Sequence, residues 1–112
     1  MQEDRRLDTW ILPLGLALMP FVVFRRSITL DFINLDDFDY VASNPKVNRG
    51  LGVESFLWAL TSNVGANWHP VTILTHMTDS TVYGVRDAWG HHLTNVLLHS
   101  ANTALLFLLL HA

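Results

Sequence analysis

Two long apolar runs without charged side chains, at residues 10–24 and 93–110, dominate the hydrophobic pattern of the chain. A helix that crosses about 30 Å of hydrocarbon needs roughly 20 mostly apolar residues. The second run reaches this length, and the first approaches it if the flanking arginines extend along their apolar stems to the lipid headgroups. The pattern therefore predicts an all-α membrane protein with two transmembrane helices, at 9–26 and 91–112, which flank a loop at 27–90.

Two other interpretations of the first run stay open. It could be the core helix of a small soluble domain, or the apolar part of a cleaved signal peptide, because basic residues precede it. No cleavage site of the small-x-small type follows Phe24, which weighs against a signal peptide. Pro13 and Pro20 are compatible with a membrane helix, because neighbouring segments there can satisfy the carbonyl groups that proline leaves without partners.

The loop between the two runs has the periodicity of short helices. Proline and glycine within residues 44–52 predict a turn. A helix of about ten residues is predicted from Val53, and a second helix from Pro70 to about Tyr83, because proline suits the first turn of a helix.

The second of these loop helices is predicted to be amphipathic and to lie in the membrane interface. Its apolar side is expected to carry Val71, Leu74, Thr78 and Val82. Its other side, either a solvated face or part of a site, is expected to carry His69, Thr72, His76, Asp79 and Tyr83. Tryptophans of the loop region are expected near the lipid headgroups.

The last helix carries a polar stripe, because residues at intervals of three and four share one face of a helix. The stripe consists of His92, Asn95, His99 and Asn102. Lipid cannot satisfy these side chains, so they are expected to face other helices or a water-filled cavity. We therefore expect the chain to be a fragment of a larger helical bundle, and we expect the second span of the chain to be truncated.

Composition supports a membrane protein and excludes some functions. Hydrophobic residues make up 50% of the 112 residues and charged residues 15%. The net charge of −3 provides no basic surface for nucleic acid. Because the chain has no cysteine, it can form neither disulfides nor thiolate metal sites.

Three motifs follow one another along the chain. They are Asn34-Leu35-Asp36-Asp37, Asn67-Trp68-His69-Pro70-Val71-Thr72 and His91-His92-Leu93-Thr94-Asn95. In this order, over roughly residues 32–110, they resemble the start of the membrane mannosyltransferases with tetratricopeptide repeats. That family is similar in plan to the protein O-mannosyltransferases and has the C-type glycosyltransferase fold.

The resemblance implies a donor, an acceptor and a location. The donor would be a polyprenyl-phosphate-linked sugar, and the acceptor a hydroxyl of an exported protein or glycan. The multi-pass protein would lie in the plasma (inner) membrane of a bacterium or the endoplasmic reticulum of a eukaryote. Residues 1–8 would be cytoplasmic and the loop extracytoplasmic. The family's remaining helices and its repeats are missing, so the fragment alone is not expected to be active.

Asp36 and Asp37 match the acidic pair of this family. One of them could take the proton of the acceptor hydroxyl, or the pair could hold a divalent metal ion through oxygen ligands. The sequence does not distinguish the two residues. A hydrated turn without chemistry is the alternative.

Cationic groups near the loop could bind the departing phosphate. The candidates are His69, His91, His92 and Arg86. A zinc site formed by His69, His76, Asp79 and His91 is a further alternative, although its spacing matches no known zinc pattern. A different class of function is also open, namely a non-catalytic membrane anchor whose repeats recruit partners for envelope assembly.

Overall fold

The computed structural model describes the backbone of residues 2–111 and the side chains of residues 10–111. This part of the chain is all-helical, as predicted, and contains no strand apart from an isolated bridge between Val64 and Asn67. The main helices in chain order are α1 Gln2–Phe24, α2 Pro45–Asn48, α3 Val53–Thr61, α4 Pro70–Tyr83 and α5 Trp89–His111. A 3-10 turn at Ser27–Thr29 and a π-helical turn at Phe38–Ala42 lie between α1 and α2.

The described residues divide into two compact units. One unit holds α1, the turn after it, and α5 from His92 onward. The other unit is Leu30–His91.

Within the described residues, α5 is the one helix long and apolar enough to cross a membrane. Only 11% of its most apolar window is buried, which is unlike the core helix of a soluble domain. The apolar part of α1, Trp10–Phe24, is shorter. Because α1 ends at Phe24, the last two residues of the predicted span 9–26, Arg25 and Arg26, lie beyond the helix. A second membrane span therefore remains a prediction.

Polar residues of α5 border a small cavity in the first unit. The His99 ring lies 5.5 Å from the ring of Phe24, and Asn95 lines the same cavity of about 160 Å³. Asn102, which also belongs to the predicted polar stripe, is exposed.

The core of the second unit forms around α4, against which α2 and α3 pack. Its buried residues are Val47, Ala59, Val64, Ile73 and Met77. The face of α4 that is predicted to lie in the membrane interface is largely exposed, with Val71 75% and Val82 65% exposed, and its contact with a membrane remains a prediction. The helix instead buries Ile73 and Met77, four residues apart, since α2 and α3 cover that side.

The ends of the loop helices follow from their sequence. The Asn44 side chain accepts hydrogen bonds from the N–H groups of Lys46 and Val47, which caps α2. This short helix was not predicted and occupies the first half of the predicted turn. Gly84 ends α4 with a φ of 82°, a conformation that glycine adopts without strain.

The glycine turn between α2 and α3 packs against α4. Gly50 has a φ of 75° and lies so close to Thr81 that a Cβ atom there would overlap the threonine hydroxyl. The N–H of Leu51 donates a hydrogen bond of 2.8 Å to Thr81 Oγ1. The turn is therefore tied to α4 through one side chain.

Candidate functional site

Two histidines and an aspartate come together in the second unit. His76 and Asp79 lie three residues apart on α4, and His91 is the third residue of α5. One nitrogen or oxygen of each lies within 4.8 Å of the others. His91 is 2% exposed and Asp79 4% exposed, while His76 is half-buried. We call these three residues the His-Asp-His cluster.

Contacts on both ring nitrogens orient His91. Its Nε2 lies 3.3 Å from the carbonyl oxygen of Gly84. A carbonyl oxygen can only accept a hydrogen bond, so Nε2 carries a proton in this arrangement. The other nitrogen, Nδ1, lies 3.7 Å from Asp79 Oδ2. The ring of Phe32 packs edge-on against the imidazole at 5.5 Å.

The surroundings of His76 favour its neutral form. Burial, together with repulsion from His91 and His69, lowers the pKa of His76 from its ordinary 6.5 to about 4, although the carboxylate of Asp37 opposes the shift. His76 Nδ1 is buried and makes no hydrogen bond. At neutral pH the imidazole is therefore uncharged, and one of its two ring nitrogens offers a lone pair.

The two residues of the predicted acidic pair have different environments. Asp36 is exposed, whereas Asp37 is half-buried and directly precedes the π-helical turn. Asp37 Oδ2 accepts a hydrogen bond of 3.0 Å from the N–H of Ile33. Of the two, only Asp37 has a carboxylate held by the backbone and an electrostatic effect on the His-Asp-His cluster.

His69 lies at the beginning of α4, where its ring is 5.1 Å from the ring of Tyr40. Its Nε2 is buried and has no hydrogen-bond partner. Arg86 is exposed in the turn between α4 and α5, and His92 is half-buried in the other unit. His91 is too deeply buried to contact a lipid phosphate in this conformation.

The structure thus brings together three members of the predicted zinc alternative, and the fourth, His69, lies close enough to affect the pKa of His76. Neither Phe32 nor the Gly84 carbonyl was predicted to be part of the site. A backbone carbonyl leaves no side-chain signal, and Phe32 is one of several apolar residues near the acidic residues.

No protein-family model matches the chain, and no characterised protein or solved structure is significantly similar to it. The cluster offers two imidazoles and one carboxylate, which are common ligands of transition metals. Asp37 offers a separate carboxylate suited to proton transfer.

Proposed function

We propose that the chain is the amino-terminal part of a membrane glycosyltransferase. The enzyme takes a sugar from a polyprenyl-phosphate donor and transfers it to hydroxyls of exported proteins or glycans. The sugar is mannose if the resemblance of the three motifs extends to the substrate. The observation that supports this most is the position of Asp37, a backbone-held carboxylate in the same compact unit as the second motif and His91.

Asp37 acts as the general base in this proposal. Transfer to a hydroxyl requires removal of its proton, and a carboxylate within hydrogen-bond reach can accept it. The hydrogen bond from Ile33 fixes the orientation of the Asp37 carboxylate. Asp36 is exposed and is the second candidate, either for the base or for a divalent metal ion shared with Asp37.

His69 and the beginning of α4 receive the phosphate. The first N–H groups of a helix lack partners within the helix and carry partial positive charge, which favours anions. His69 adds a ring nitrogen without a hydrogen-bond partner at this position. Arg86 and His92 are further phosphate candidates, while the burial of His91 removes it from this role.

The proposed membrane arrangement uses α5 as one span and the apolar part of α1 as another. The apolar length of α5 supports the first of these assignments. The unit Leu30–His91 then lies on the extracytoplasmic side, beside membrane lipid and within reach of the lipid-linked donor.

The test is sugar transfer from polyprenyl-phosphate mannose in membranes that contain the full-length protein. Asp37→Asn should lower the rate by about 100-fold, the typical contribution of a positioned base. Asp39→Asn is the matched control, because Asp39 is an exposed aspartate two residues away. Asp36→Asn tests the second candidate.

Near-normal transfer by the Asp37→Asn and Asp36→Asn variants would remove the acidic pair from the mechanism. If membranes with the natural sequence transfer no sugar, the anchor function replaces the transferase. Membrane expression of each variant is measured in parallel, so that loss of protein is not mistaken for loss of chemistry.

A further inference from the structure

The His-Asp-His cluster has the donor set of a zinc site. In zinc sites that keep an open position, three protein ligands are drawn from histidine and carboxylate, and water takes the fourth position. Two ligand atoms that each lie about 2 Å from a tetrahedral zinc ion are about 3.3 Å apart. His91 Nδ1 and Asp79 Oδ2 are 3.7 Å apart, and all three donor atoms lie within 4.8 Å of one another. Small side-chain movements would bring them to an ion.

The groups around the cluster also fit a metal ion. A histidine that binds zinc commonly donates its other N–H to a carbonyl, which fixes the ring and its tautomer. Gly84 provides that carbonyl for Nε2 of His91. Nδ1 of His91 is thereby directed toward Asp79. The third donor, His76, lies three residues before Asp79 on α4, so the two side chains share one face of the helix.

Charge gives an independent argument. Asp79 is 4% exposed, and burial of an ionised carboxylate is costly unless a positive charge is near. The Nδ1 atom of His76 is buried and has no hydrogen-bond partner, so it is open to a metal ion. A divalent ion would balance the charge of the Asp79 carboxylate and bind that nitrogen.

We propose that His76, Asp79 and His91 bind one zinc ion, which links α4 to the first turn of α5. The coordination is completed by water on the half-buried side of His76. This inference does not rest on the proposed transferase activity, because it involves neither Asp36 nor Asp37. Its role is to stabilise the unit Leu30–His91.

The first test titrates the full chain, purified in detergent and stripped with a chelator, with zinc alone. One equivalent should bind and raise the Tm by at least about 5 °C at saturation. His76→Gln and Asp79→Asn should each weaken zinc binding by about 10-fold or more. The matched control Asp87→Asn removes an exposed carboxylate of the same unit and should leave binding unchanged.

Circular dichroism of each variant shows whether the helices persist, so that unfolding is not counted as lost coordination. Equal zinc affinity in the natural sequence, His76→Gln and Asp79→Asn would overturn the proposal, because the ion would then bind elsewhere. Absence of stoichiometric zinc would also overturn it, in favour of a buried ion pair between Asp79 and protonated His91.

A second test uses the absence of cysteine from the chain. Asp79→Cys places the chain's first thiol at the site, and cysteine is a small residue that tolerates burial. With cobalt as the probe, a thiolate ligand should produce a strong sulfur-to-cobalt absorption band. Asp87→Cys should not show it. Identical cobalt spectra for the two folded variants would contradict coordination at position 79.

Discussion

At the scale of single residues, His76 should make the stability of the protein depend on pH. Its pKa is about 4 in the folded chain and near 6.5 when exposed, so the unfolded chain binds a proton that the folded chain excludes. The free energy of unfolding is therefore highest above pH 6.5 and falls as the pH drops toward 4. The shift corresponds to a loss of up to about 3 kcal/mol.

Thermal unfolding of the metal-free chain in detergent at pH 7.5, 6 and 4.5 measures this dependence. The Tm of the His76→Gln variant should fall less over the same pH range, because glutamine does not titrate. His111→Gln removes an exposed histidine and should follow the natural sequence. If the Tm of all three chains falls by the same amount, His76 is not the group responsible for the pH dependence.

The candidate site shows how far sequence reasoning extends at this scale. His76 and Asp79 are visible as an i, i+3 pair, but their partner His91 lies twelve residues later on another helix. The hydrogen bond from Ile33 that distinguishes Asp37 from Asp36 depends on how the backbone folds back at this turn. Such contacts between residues of separate elements cannot be derived from periodicity.

At the scale of elements, helix ends were more predictable than helix faces. The bounds of α4 were predicted correctly, with Pro70 in its first turn and its end near Tyr83. The side of α4 that is buried against the protein was not predicted. Whether the Val71 side or the Ile73 side is buried depends on where α2 and α3 pack. Local chemistry determines the ends, whereas tertiary packing determines the face.

The junction of α4 and α5 provides a prediction for an element. Gly90, in the first turn of α5, is buried, and a Cβ atom there would overlap the ring of Tyr83. Tyr83 also packs edge-on against Trp89 at 5.0 Å, which limits its movement. Gly90→Ala should therefore lower the free energy of unfolding by about 1–3 kcal/mol.

Gly15→Ala is the matched control for this substitution. Gly15 lies inside α1, and no atom lies within 4 Å of the position of an added Cβ. Alanine there should be neutral or stabilising, because glycine is the poorer helix former. Thermal unfolding of both variants in the same detergent makes the comparison. Equal stability of the two would show that Tyr83 moves aside without cost.

At the scale of the whole molecule, the orientation in the membrane is the main prediction. Arg5 and Arg6 precede the first apolar run, and Arg25 and Arg26 follow it, so the positive-inside rule gives a near tie. The loop is also long enough for its other charges to count little. The resemblance to extracytoplasmic transferases then favours a cytoplasmic amino terminus and an outward loop.

A single cysteine at Ser43, an exposed position of the loop, tests this orientation. A membrane-impermeant thiol reagent should label Ser43→Cys on intact cells or spheroplasts. Glu3→Cys, before the first apolar run, should react only after lysis. The opposite pattern would invert the topology and exclude an extracytoplasmic transferase.

The hydrogen bond between the Leu51 N–H and Thr81 has a consequence for how unfolding can be observed. Leu51 is 46% exposed, and an amide in such a position would ordinarily exchange its hydrogen with deuterium quickly. Here that hydrogen is held by a side chain thirty residues away. Its exchange rate therefore measures how often the glycine turn detaches from α4. One amide signal can therefore report on the opening of the unit Leu30–His91 separately from the unfolding of α5.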